Sequence, residues 1–284
     1  MSAEDLEALR AESRARWERG ASGWGKRADE IREMGMPVSA LMIERLELQP
    51  GQRVLELAAG PGDTGFLAAE LIRPGGTLVC SDGAEAMLEL ARARAQAQQI
   101  ENVEFVRLEL EWIDLPTASV DAVLCRWGIM LLVDPSAAAQ EIRRVLRPGG
   151  RAALSVWDVP EHNPWATIPG RALAELGHAP APDPDAPGMF ALGQPGQLEQ
   201  LLASSGFLDV LVEQVDVGRT PPSVDAYLEE TLDLSTPFRD TVAQLSKDQW
   251  QEVVNRIVSL AEPFTDADGS LRLPGAALVA TAAA

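Results

Sequence analysis

The sequence predicts an α/β fold: a doubly wound, Rossmann-like, mostly parallel seven-stranded sheet whose last strand runs antiparallel. Three observations lead there. Between residues 54 and 157, short and almost purely apolar runs alternate with helical segments, the rhythm of parallel βαβ units. The first apolar run ends in a glycine-rich turn that opens a helix. Beyond residue 157 the alternation stops, and two late strand patterns remain to close the sheet.

Each element follows from local pattern. Residues 1–36 read as an N-terminal helical lid, amphipathic and broken at the glycine-rich patch Gly20 to Gly25, with Trp17 and Trp24 flanking the patch. Pro37 to Leu46 sets Val38, Leu41, Met42 and Leu46 at helical spacing. Pro50-Gly51 punctuates, and Val54 to Ala58 is the first strand, followed by a helix from Thr64 to Leu71 and a turn at Pro74-Gly75-Gly76. Thr77 to Ser81, Val103 to Leu108, Val120 to Cys125 and Arg151 to Trp157 are the next four strands; helices from Ala84 to Gln98 and Ser136 to Leu146 stand between them. Right-handed crossovers cover both faces of such a sheet, which is why its strands are apolar throughout rather than alternating. Residues 37–157 thus form the ligand-binding core. Residues 158–284 supply cap insertions and the closing strands of the same domain: a proline-rich stretch from Asp158 to Ala191 with a helix at Pro169 to Leu176, a helix at Gly196 to Ser204, a strand at Val210 to Val217, a helical cap from Val224 to Leu260, and a last strand from Ser270 to Thr281 broken by Pro274-Gly275.

Composition narrows the partners. Across 284 residues, 24 Lys and Arg face 43 Asp and Glu, a net charge of −19. Nucleic acid binding rests on clustered basic side chains, and anionic membranes attract the same, so both are disfavoured and a small molecule is the expected partner. No run approaches the ~20 apolar residues of a membrane span. The two cysteines, Cys80 and Cys125, sit inside apolar strands, without the number or spacing of a disulfide framework or metal cluster. These features point to a cytoplasmic protein, and Glu109, Glu111 and Asp114, the nearest thing to an acidic cluster, lack a histidine companion, so no metal is expected.

The informative segment runs from Glu56 to Gly65. Gly60 and Gly62 let a ligand lie directly on the backbone at the carboxyl end of the first strand. Gly60, Gly62 and Gly65 also match the dinucleotide pattern GxGxxG, with Asp82 at the distance of a ribose-binding acid. S-adenosylmethionine competes for such a turn. Glu56, at the end of the first strand, would repel a pyrophosphate but suits a cationic amino acid and sulfonium. Glu109 and Glu111 follow the third strand, where a carboxylate can accept from an adenine amino group.

In this order and spacing, VLELAAGPGDTG, LVCSDGAEAMLELAR, VEFVRLELEWIDLP, SVDAVLCRWGIMLLVDP and EIRRVLRPGGRAALSVW resemble the class I S-adenosylmethionine-dependent methyltransferases, in the broad group of the ubiquinone/menaquinone-biosynthesis enzymes. The resemblance spans about Val38 to Trp157 and holds only in outline over the C-terminal third. It implies that Glu56 lies near the methionine amino group, that Gly60 and Gly62 form the turn under the cofactor, and that Asp82 binds both ribose hydroxyls. It further implies that Met87 packs on the adenine, that Glu109 stands beside the adenine amine with Leu110 following, and that the backbone of Arg126 meets the methionine moiety. Ala58 replaces the first glycine of the family pattern, and Gly83 stands where a larger residue is common.

Methyl transfer is an in-line displacement whose reactivity the cofactor supplies, so the protein chiefly aligns the acceptor and excludes water. His162, at the rim after the fifth strand, is the candidate general base. Trp24, Trp127, Met130 and Trp165 are candidates for an acceptor wall. The expected activity is methyl transfer to a small apolar or aromatic acceptor, leaving S-adenosylhomocysteine. An NAD(P)-dependent oxidoreductase and a non-catalytic nucleoside-binding relative are the alternatives.

Overall fold

The structure, a computed structural model, describes residues 3–180 and 187–284, so Pro182 and Pro184 of the proline-rich stretch lie outside the described residues. Two long helices, α1 (Ala3–Lys26) and α2 (Ala28–Leu46), lead into β1 (Arg53–Glu56), α3 (Asp63–Leu71), β2 (Thr77–Asp82) and α4 (Glu85–Ala97). Next come β3 (Val103–Arg107), β4 (Val120–Arg126), α5 (Pro135–Val145) and β5 (Leu146–Trp157). The second half holds α6 (Pro164–Glu175), α7 (Gln197–Ser204), β6 (Leu208–Asp216), α8 (Val224–Leu234), α9 (Thr236–Val242), α10 (Lys247–Ala261) and β7 (Ala276–Ala283).

The strands make one seven-stranded sheet in the order β3-β2-β1-β4-β5-β7-β6. The first five strands pair in parallel, as the alternation predicts, and the closing β7 runs antiparallel to both neighbours. Val54, Leu55, Val79, Val123 and Leu124 are fully buried because helices cover both faces. Both cysteines are buried and free, filling strand positions as small hydrophobes. Chain order reverses between β1 and β4, so the crevice of a doubly wound sheet opens at their carboxyl ends.

Four local expectations are corrected. The glycine patch does not break the first helix: α1 runs straight through Gly20, Gly23 and Gly25. A Cβ on Gly23 would stand 1.9 Å from the Asp233 carbonyl oxygen in α8, and one on Gly25 would meet Leu90 of α4 at 2.9 Å. Close packing against two helices therefore outweighs the poor helix propensity of glycine. Helix α6 starts at Pro164 rather than Pro169, which places Pro169 inside it. Proline cannot donate to the carbonyl four residues back, that of Trp165, and the buried Tyr227 hydroxyl from α8 donates to it instead. The last regular strand begins only after Pro274-Gly275 and continues to Ala283; proline lacks a ladder donor, and Gly275 packs so closely that a Cβ there would stand 2.1 Å from the Val217 carbonyl oxygen. The long helical stretch after Val224 is three helices, restarted by Ser235 and Ser246, whose hydroxyls cap α9 and α10.

Candidate active site

A cleft with about 1090 Å³ of empty space, its open mouth included, lies at the carboxyl ends of β1, β2 and β4. The turn after β1 forms its floor. Ala58 and Gly60 both adopt left-handed backbone, at φ 49° and 53°. Nothing lies within 4 Å of where a Gly60 Cβ would be, so its bare backbone faces open space. Ala58 keeps a methyl in a conformation that favours glycine, and Gly128 opposite makes room: a Cβ there would stand 2.5 Å from that of Ala58. Gly62 does not line the cleft. It opens α3 at φ 90°, where a Cβ would strike the Phe66 ring.

Three carboxylates converge on this floor. Glu56 is buried; its Oε1 accepts from the Gly65 N–H at 2.7 Å while its Oε2 has no partner. Burial pushes its carboxyl up to about 8, against the Gly65 bond and the charge of Arg126. Asp82, ending β2, accepts from Gly60 N–H through Oδ2 and from Ala84 N–H through Oδ1, each at 2.9 Å. Burial raises it to about 6 in spite of both bonds. Glu109 follows β3, half-exposed, beside Gly83. Met87 of α4 is buried against Ala21, Trp17 and Trp24 of α1. The structure thus brings Glu56, Ala58, Gly60, Asp82, Gly83, Met87, Glu109, Leu110 and Arg126 to one cleft.

At the β4 end the cleft turns apolar. Trp127, at φ 60°, lines it together with Leu131, Leu132 and Val133. The Trp127 ring stacks on Trp157 at 4.2 Å between centroids, and Trp157 meets Trp165 edge-on at 4.9 Å. Of the aromatic candidates, Trp24 and Trp127 reach the cleft. Trp165 is buried in the indole row, its ring N–H donating to Asn163, and Met130 is buried beneath, its sulfur accepting from the Trp157 N–H. His162 is not a lining residue either: its ring, about half exposed, meets Asp158 Oδ2 through Nδ1 at 2.7 Å.

Sequence reasoning expected a helical lid here, with Trp17 and Trp24, but missed the charged residues of α1 that cover the cleft. Arg14 Nη1 lies 3.2 Å from Glu109, Arg10 pairs with Glu111, and the Glu18 carboxylate accepts from the Glu85 and Ala86 N–H groups at the start of α4. A carboxylate there satisfies orphan donors and suits the positive helix end. A signal existed. Arg10, Arg14, Trp17, Ala21 and Trp24 recur at alternating spacings of four and three, one stripe of a continuous helix. Among the described residues no group of three or more His, Cys, Asp or Glu side chains is placed to hold a metal.

Comparison with known proteins agrees with this architecture. Residues 57–154 match the family model described as a methyltransferase domain. The chain is 32% identical to the nocamycin O-methyltransferase of Saccharothrix syringae over 206 residues, covering 68% of this chain and 72% of that one. It is 28% identical to the ubiquinone/menaquinone biosynthesis C-methyltransferase UbiE of Shewanella frigidimarina over 184 residues, covering 61% and 71%. The crystal structure of the YcgJ protein of Bacillus subtilis shares the fold, with a TM-score of 0.57 at 18% identity, covering 86% of this chain and 97% of that one.

Proposed function

Since the chain belongs to the class I S-adenosylmethionine-dependent methyltransferases, we propose that it methylates a small, apolar or aromatic acceptor held against Trp127. The observation that supports this reading is the division of one cleft into a carboxylate-lined floor and an apolar wall.

The residues present fit the cofactor on their own chemistry. Gly60 leaves open the space a Cβ would fill, and Glu56 buries an oxygen without a partner. Three acids on the floor suit a ligand with an ammonium, two hydroxyls and an aromatic amine. A dinucleotide would set its pyrophosphate against the same acids, so like charges oppose the oxidoreductase alternative. In this reading Asp82 takes the ribose hydroxyls, Glu109 the adenine amine and Glu56 the ammonium, while Met87 packs on the base.

When bound, S-adenosylmethionine supplies an electrophilic methyl group on a sulfonium centre. The chain contributes alignment and dryness. Trp127, Leu131, Leu132 and Val133 offer a planar, apolar surface on which an acceptor ring stacks, and the indole row behind keeps that surface fixed. Helix α1 closes the opposite side through Arg14, Trp17 and Trp24. His162 stays outside this arrangement, so an acceptor that ionises readily, such as an enol or an acidic phenol, suits the site. The net charge of −19 also favours a small acceptor over a nucleic acid, and no helix among the described residues is long and apolar enough to cross a membrane.

The test is calorimetric titration with S-adenosylhomocysteine and with NAD(P), followed by mass-spectrometric detection of methyl gain across enolic and phenolic acceptors. Binding of S-adenosylhomocysteine and methylation of at least one acceptor are expected. Binding of NAD(P) in its place, or cofactor binding with no turnover on any acceptor, would overturn the reading.

A further inference from the structure

Arg126 ends β4 with a side chain only 9% exposed, and it lines the cleft. Leu124, two residues earlier, stands level with Glu56 on the neighbouring β1, so Arg126 projects just beyond Glu56 at the strand ends. Its Nη1 is buried without a partner. Its Nη2 is 3.6 Å from Asp63 Oδ2, beyond hydrogen-bond reach, and Asp63 is also bonded by Arg94 at 2.8 Å. The face of Trp127 lies 4.7 Å from the guanidinium carbon.

A guanidinium carries five donors in a planar fork that matches a carboxylate. Burying one with its fork unfilled is costly unless an anion completes it. The fold makes room for this particular side chain: a Cβ on Gly35 of α2 would stand 1.8 Å from Nη1, so only glycine at that position leaves the guanidinium where it is. Gly65 does the same for Glu56, whose Oε2 would meet a Cβ at 2.1 Å. An acidic and a basic group, each with an unpaired buried atom, are thus held on neighbouring strand ends where the cleft meets the glycine turn.

We propose that the Arg126 side chain receives the carboxylate of the cofactor's amino-acid tail, while Glu56 receives its ammonium. This rests on the reading of the cleft as the S-adenosylmethionine site, and it assigns the side chain where the sequence pattern implied only the backbone. Asp63 and Arg94 then act as a buttress that keeps the fork in place, and the zwitterion of the tail fills both unpaired positions at once.

Three ligands separate the contributions in calorimetric titrations of the full chain: S-adenosylhomocysteine, its decarboxylated analogue that keeps the amine, and methylthioadenosine, which lacks the whole tail. Wild-type protein should bind the first most tightly. Arg126→Met should weaken S-adenosylhomocysteine about 10- to 100-fold, the scale of a hydrogen bond to a charged partner, while changing the decarboxylated analogue and methylthioadenosine by no more than about twofold. Gly35→Ala keeps the arginine but displaces its fork, and the same selective loss is expected of it. This second variant reads the proposal should Arg126→Met fail to fold. Equal losses for all three ligands, or none for S-adenosylhomocysteine, would overturn the assignment; so would an unchanged cofactor affinity with a raised acceptor KM, which would give the fork to an acidic acceptor. Failure of wild-type protein to bind any of the three would instead refute the cofactor reading itself.

Discussion

At the β1–β3 end of the cleft, acids on strand termini meet backbone N–H groups and an α1 face of arginine and tryptophan; at the β4 end, an indole row and two leucines present no fixed charge. In the proposed reading the first end recognises the cofactor by charge and hydrogen bonds at set positions, and the second takes the acceptor by shape and apolar area. Charge positions tolerate little change without loss of the ligand, whereas an apolar wall can be reshaped to take another acceptor. The contrast explains why cofactor chemistry is shared widely within a family whose acceptors differ.

The largest effect should come from breaking the apolar end. Trp127→Ala removes a ring stacked on Trp157 and should cost ~3–5 kcal/mol in stability, the scale for deleting a buried aromatic, as measured by denaturant unfolding. A loss under ~1 kcal/mol would show that the indole row is not a packed unit. Next, Asp82→Ala should weaken S-adenosylhomocysteine by ~1.5–3 kcal/mol, the scale of bonds to a charged group. Unchanged affinity would detach Asp82 from the ribose.

The pH response sharpens the charged end. Glu56 is raised from 4.5 to about 8 and Asp82 from 3.8 to about 6. Both hold protons in the folded state that the unfolded chain has already released, so the stability these two groups contribute to the ligand-free protein is full below pH 4 and falls as pH rises towards 8. An ammonium binds the ionised form of Glu56. Affinity for S-adenosylhomocysteine should therefore rise between pH 6 and 8, by up to about tenfold per unit, more steeply than for methylthioadenosine. Parallel slopes for the two ligands, or a slope that survives Glu56→Gln, would contradict the assignment of Glu56.

Smaller still is the contribution of the covering helix. Arg14→Ala breaks a half-exposed pair with Glu109 and should change cofactor affinity by ~0–1 kcal/mol, and less at high salt. A larger, salt-independent loss would mean that α1 does more than cover. His162→Ala should leave kcat within about twofold, as surface substitutions usually do. A collapse of kcat would bring the histidine back as a base.

The charged end was largely legible in the sequence because strand period and glycine spacing fix where a chain reverses, and Glu56, Asp82 and Glu109 sit at those reversals. The apolar end was not. Trp127, Met130 and Trp165 look alike in sequence, each an apolar residue shortly after a strand, and only packing decides that the first faces the cleft while the others are buried behind it. The α1 contacts were hidden for a different reason: glycines that serve close helix packing read locally as a break, and a broken helix separates Arg10, Arg14 and Trp17 from Ala21 and Trp24, so the stripe they share goes unseen. Pro169 misplaced the start of α6 in the same way, since the Tyr227 hydroxyl that rescues the freed carbonyl comes from 62 residues away in the chain.

The most direct measurement is the affinity of S-adenosylhomocysteine for Trp127→Leu set beside that for Asp82→Ala, by calorimetry under one condition. A cleft divided as described predicts that the leucine variant stays within about threefold of wild type while the alanine variant loses about 10- to 100-fold. The reverse order, with binding lost at Trp127 and kept at Asp82, would contradict that division.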